Sequence, residues 1–79
     1  MAWLEIEETT FATGEVHETD RYLVDSFKEA TRELVADLRE TSSEKFRNEV
    51  MALWAKNQGA EFHVRNGISS AGVRIRYVP

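Results

Sequence analysis

Cysteine is absent from the 79 residues, and that one absence removes several kinds of chemistry. No disulfide can brace the fold, and no thiolate can act as nucleophile or metal ligand. A reducing compartment suits such a chain. No apolar run approaches the roughly 20 residues of a membrane span, and Met1 leads into acids where a secretory leader would carry a basic and then an apolar stretch. A cytoplasmic location with no membrane contact is therefore expected. Proline is confined to Pro79 and glycine occurs only four times, so nothing reads as linker, repeat or low-complexity segment. One domain over residues 1–79 follows, and a domain this short buries only about 60–65% of the surface its unfolded chain exposes.

Signatures of catalysis are equally thin. The only histidines are His17 and His63, and His17-Glu18 lacks the second histidine of a zinc-binding His-Glu-x-x-His helix, so no metal or other cofactor is expected. Gly67-Ile68-Ser69-Ser70-Ala71-Gly72 has one residue too many for a nucleophile elbow. It also has neither the following helix nor the Lys-Ser/Thr pair of a phosphate loop. Acids are plentiful but sit by pattern on solvated faces, whereas paired acid/base catalysts need environments that drive their pKa values apart. No enzyme is expected.

What the chain has in quantity is charge, unevenly placed. Net charge is −4 and the isoelectric point about 5.1. Residues 1–40 carry eleven acids and four bases, while residues 41–79 carry three acids and six bases. A field so divided can steer association with a charged partner.

Hydrophobic periodicity predicts an α+β domain in β-α-α-β-β order. Residues 2–8 alternate as a strand, with Leu4 and Ile6 on one side and Trp3, Glu5 and Glu7 on the other. Residues 9–16 either extend that strand or form a second one. From Asp20 to Glu40 an apolar sector of Leu23, Val24, Phe27, Ala30, Thr31, Leu34, Val35 and Leu38 recurs at helical spacing, with Thr19 or Asp20 as the expected N-cap. Thr41 to Glu44 carries hydroxyls in capping-box spacing, so a second helix is expected there, with Phe46, Val50, Leu53 and Trp54 inward and Gly59 closing it. Phe62 and Val64 mark a strand, residues 66–72 read as a long loop, and Val73, Ile75 and Tyr77 mark a last strand stopped by Pro79. An antiparallel sheet of about three strands, covered on one face by both helices, buries every apolar side. In that arrangement Glu5 and Glu7 lie beside Arg65, Arg74 and Arg76.

Two surfaces then stand out. Asp25, Glu29, Glu33 and Asp37, extended by Glu40 and, just before the helix, by Glu15, Glu18 and Asp20, form an acidic row on the first helix, and like charges at i, i+4 cost a few tenths of a kcal/mol per pair. The alternative is the basic sheet face of His63, Arg65, Arg74 and Arg76, which has few aromatics for base stacking and belongs to a chain of net negative charge. In size, acidity, lack of cysteine and absence of catalytic motifs the chain resembles, as a class, the small phage-encoded inhibitors, anti-CRISPR proteins among them, that occupy nucleic-acid-binding surfaces. That resemblance implies a non-enzymatic binding protein whose acidic row occupies a basic groove of another protein or nucleoprotein complex, as a nucleic-acid mimic, with no direct nucleic-acid binding. The alternatives are a small assembly subunit that oligomerises through a strand edge, for example as a homodimer, and a nucleic-acid binder using the arginine face.

Overall fold

In the computed structural model, which describes residues 1–79, the chain runs β1 (Ala2–Thr10), β2 (Glu15–Val24), α1 (Phe27–Thr41), α2 (Glu44–Asn57), β3 (Phe62–Arg65) and β4 (Ala71–Val78). The α+β class is as expected from the periodicity. The strand count is not: four antiparallel strands lie in the order β2-β1-β4-β3, so the chain order is β-β-α-α-β-β.

The additional strand takes residues that were expected to open the first helix. Asp20, Tyr22 and Val24 pair with Ile6, Leu4 and Ala2 of β1, so residues 20–24 alternate across a sheet. Tyr-Leu-Val satisfies both periods, and the β1 ladder decides between them. The helix starts later, behind the N-cap Ser26, whose Oγ accepts the Glu29 N–H at 3.1 Å while the Glu29 carboxylate accepts the Asp25 N–H at 3.0 Å. Neither Thr19 nor Asp20 caps it. The second helix is capped by Ser43, which accepts the Phe46 N–H at 3.2 Å; the Thr41/Glu44 spacing is not used. Such caps are worth about 0.5–2 kcal/mol each.

Residues 66–72 are shorter as a loop than expected. Asn66 N–H donates to the Ala71 carbonyl at 2.9 Å, and β4 begins at Ala71. Gln58 and Gly59, with φ of 50° and 89°, turn the chain out of α2. A Cβ on Gly59 would come within 2.9 Å of the Tyr77 Cβ, so only glycine lets the turn lie against β4.

The helices cover one sheet face. Leu4, Ile6, Val24, Ala30, Leu34, Leu38, Phe46, Val50, Trp54 and Ile75 are buried together, with Phe27, Phe62, Val64, Val73 and Tyr77 partly buried around them. Phe27 stacks on Trp54 at 5.0 Å and meets Tyr77 edge-on at 5.5 Å, and the Trp54 indole N–H donates to Thr31 Oγ1 at 2.9 Å. No helix is long and apolar enough to cross a membrane.

Candidate functional site

The sheet face away from the helices carries Arg21, Arg65, Arg74 and Arg76, and all but Arg65 are matched by an acid. Glu5 and Glu7 of β1 sit opposite Arg76 and Arg74 of β4, and Glu5 also sits opposite Arg21 of β2. Glu5, only 7% exposed, accepts Arg76 Nε on one oxygen and Arg21 Nε on the other at 2.9 Å. The Glu5 carboxylate keeps the Arg76 guanidinium protonated to still higher pH than usual, chiefly through that hydrogen bond. Arg74 Nη1 reaches Glu7 at 3.0 Å. Arg65, expected beside these acids, pairs with Gly72 and donates to its own loop at the Gly67 carbonyl, 3.0 Å away. His63 is held by Thr9 Oγ1 at 2.7 Å and lies against the Phe11 ring at 4.7 Å. The candidate basic residues thus share one face, but Arg74 and Arg76 are neutralised by the partners that the strand register supplies.

The acids of the other face are not matched. Glu8 follows Leu4 and Ile6 on the helix side of β1, and Glu18, Asp20, Tyr22 and Val24 follow one another on the helix side of β2. Glu8 is directly opposite Glu18, next to a register shift in which Thr9 pairs with Val16, and His17 bonds Thr10 Oγ1 at 2.6 Å. Across from β2, the side of α1 bearing Glu29, Glu33 and Asp37 closes in, tied by the Tyr22 hydroxyl donating to Asp37 Oδ2 at 2.8 Å. The expected acidic row therefore exists but stands beside a second acidic row of the sheet. Asp25 lies outside the helix and Glu40 is exposed. Glu29 and Asp37 also have structural duties, which an all-solvated row would not.

Proximity shows in the proton affinities. Glu8 keeps its proton to higher pH than an ordinary glutamate, first through its hydrogen bond to Glu18, then through burial and the charges of Glu18, Asp20 and Asp37. Asp20 is raised in the same direction, by burial before the charges of Asp37 and Glu18. The Tyr22 hydroxyl is pushed well above its usual range by its bond to Asp37, with burial and the charges of Asp37, Asp20 and Glu33 adding.

Between this acidic group and the α1–α2 junction lies an open cleft of about 360 Å³. Its apolar floor is Ile6, Leu38, Phe46 and Val73, and its carboxylates are Glu8, Glu18, Asp20 and Asp37. No lysine or arginine lines it, and none of these four acids forms an ion pair. The chain matches no protein-family model, no curated protein and no solved structure. Nor do three His, Asp or Glu side chains converge as a metal site. What the arrangement offers is a concave anionic surface with apolar contact area, suited to binding a cationic group.

Glu8 was outside the expected surface, and Glu18 and Asp20 were expected only as an extension of the helix row ahead of its start. Their signal was the period of two: Glu8 continues the Leu4, Ile6 face, and Glu18, Asp20, Tyr22 and Val24 form an alternating set once residues 15–24 are read as a strand.

Proposed function

We propose that this is a non-enzymatic binding protein whose acidic face, formed by the helix side of β2 and the facing side of α1, occupies a basic nucleic-acid-binding groove of another protein. The supporting observation is the separation of charge across the sheet: Glu5 and Glu7 are neutralised by arginine, while Glu8, Glu18, Asp20 and Asp37 are crowded together without a cation. Like charges directly opposite on adjacent strands destabilise, and a sequence selected for stability alone would put a lysine among them. Such a protein acts as an inhibitor by exclusion, the way of working of the anti-CRISPR class that its composition resembles. Neutralisation of Arg74 and Arg76 weighs against direct nucleic-acid binding through the opposite face.

The assembly alternative draws on a different observation. β2 is a ten-residue edge strand, with Val16 41% and Leu23 48% exposed. However, self-pairing along its middle would gather Glu18 and Asp20 of both copies, and charged edge residues oppose such pairing.

The test is capture and competition. The protein is used as bait in extract from its native host, and the retained protein is then assayed for nucleic-acid binding with and without the bait. Loss of its nucleic-acid binding is the expected result; undiminished binding in the presence of saturating bait would refute the proposal.

A further inference from the structure

The cleft beneath the acidic rim is shaped for something more specific than a diffuse positive surface. We propose that it receives one arginine side chain of the partner protein, a deepening that rests on the binding function just proposed. An arginine combines an aliphatic stem with a charged head. The floor of Ile6, Leu38, Phe46 and Val73 suits the stem, and the carboxylates of Glu8, Glu18, Asp20 and Asp37 suit the head. A guanidinium has five N–H donors in a planar fork, so one head can satisfy more than one carboxylate; the lysine ammonium is a compact point charge with three. Asp37 uses one oxygen, Oδ2, for Tyr22, which fixes the orientation of that carboxylate. At about 360 Å³ the cleft is near the small end of the roughly 300–1,000 Å³ range of ligand sites, room for a long side chain and not for a folded element. Ion pairing on the opposite sheet face supplies the internal comparison: there Glu5 and Glu7 have arginines beside them, whereas Glu8, Glu18, Asp20 and Asp37 have none. In the cleft that arginine has to come from outside. The mutual repulsion that, after the Glu18 hydrogen bond at Glu8 and burial at both, raises the proton affinities of Glu8 and Asp20 in the free protein would be relieved by it.

The test uses the full chain, 15N-labelled, titrated with N-acetyl-arginine amide, N-acetyl-lysine amide and the uncharged isostere N-acetyl-citrulline amide. Saturable shifts at Asp20, Leu38 and Val73 are expected with arginine, weaker ones with lysine and none with citrulline. Asp20→Asn should weaken arginine binding roughly tenfold, the value of one charge-assisted hydrogen bond, whereas Glu49→Gln on α2 should not. Equal binding of citrulline, or shifts spread over the acids outside the cleft, would overturn the inference, and the wild-type comparison stands even if Asp20→Asn fails to fold. The two levels separate in the outcomes. If lysine substitutions at Glu18, Asp20 and Glu33 abolish partner capture but arginine amide finds no site, the cleft inference alone is wrong. If arginine amide binds the cleft and capture survives those substitutions, the cleft is an arginine site that the partner does not use, and the proposed function falls together with the inference.

Discussion

Replacing Glu8 by glutamine should stabilise the protein at pH 7. Glu8 lies directly opposite Glu18 in the β1–β2 ladder, with the charges of Asp20 and Asp37 also bearing on it. An opposed like-charge pair is worth about 0.2–1 kcal/mol of destabilisation, and glutamine keeps the volume while its amide can donate to the Glu18 carboxylate. In a domain of this size each kcal/mol moves the thermal midpoint by roughly 4–8 °C, so a rise of roughly 1–8 °C is expected by circular dichroism in low salt. The gain should shrink in ~1 M salt, where the screening length falls to about 3 Å. It should shrink in acid as well. With their proton affinities raised in the folded state, Glu8 and Asp20 stabilise the fold when protonated. That contribution is complete below the ordinary values of 4.5 and 3.8 and is lost as pH rises through the raised ones. Wild type therefore recovers toward the variant as pH falls to about 4.5. A lower midpoint for Glu8→Gln at pH 7, or a gain indifferent to both salt and pH, would refute the reading of the rim as a store of repulsion.

Three further outcomes concern the fold that carries the rim. Leu34, fully buried, should cost about 2–5 kcal/mol on change to alanine, read as a lowered urea midpoint; a shift of under about 1 kcal/mol would mean that this helix face is not core. Thr31→Val takes away the acceptor of the buried Trp54 indole N–H, a loss of about 1–3 kcal/mol, with the indole proton resonance as a local readout. Glu5→Gln should lose about 1.5–3 kcal/mol because Glu5 serves both Arg21 and Arg76, and chemical denaturation should rank it above Glu7→Gln, which has one partner.

The sequence carried the α+β class, both helix interiors, the last two strands and the pairing of Glu5 and Glu7 with Arg76 and Arg74. These share a cause: each rests on one periodicity sustained over several residues, or on charges that a register must oppose. It did not carry β2. Arg21 to Val24 is compatible with a helix and with a strand, and the choice is made by Ala2, Leu4 and Ile6, which are distant in sequence. Ser26 followed three residues later by Glu29 is a capping-box start signal inside the apolar sector, and the expected helix ran straight through it. Misplacing those residues also hid half of the candidate site. Glu18 and Asp20 read as connection and cap, and Glu8 as the end of a strand, whereas pairing brings all three to the acidic side of α1. The arginine face was visible as a face, but its neutralisation required a register, which alternation alone does not supply.

The central claim is that the acidic face is the working surface, and charge reversal there tests it most directly. Glu29 and Asp37 are unsuitable targets, since they hold the Asp25 N–H and the Tyr22 hydroxyl, so Glu18, Asp20 and Glu33 should be changed together to lysine. The measurement is the association rate with the captured partner across a salt series. Wild type should associate fast and in a salt-dependent way, and the lysine triple should lose both the rate and its salt dependence while circular dichroism shows the same fold. Full affinity and an unchanged salt dependence in the folded triple mutant would contradict the claim.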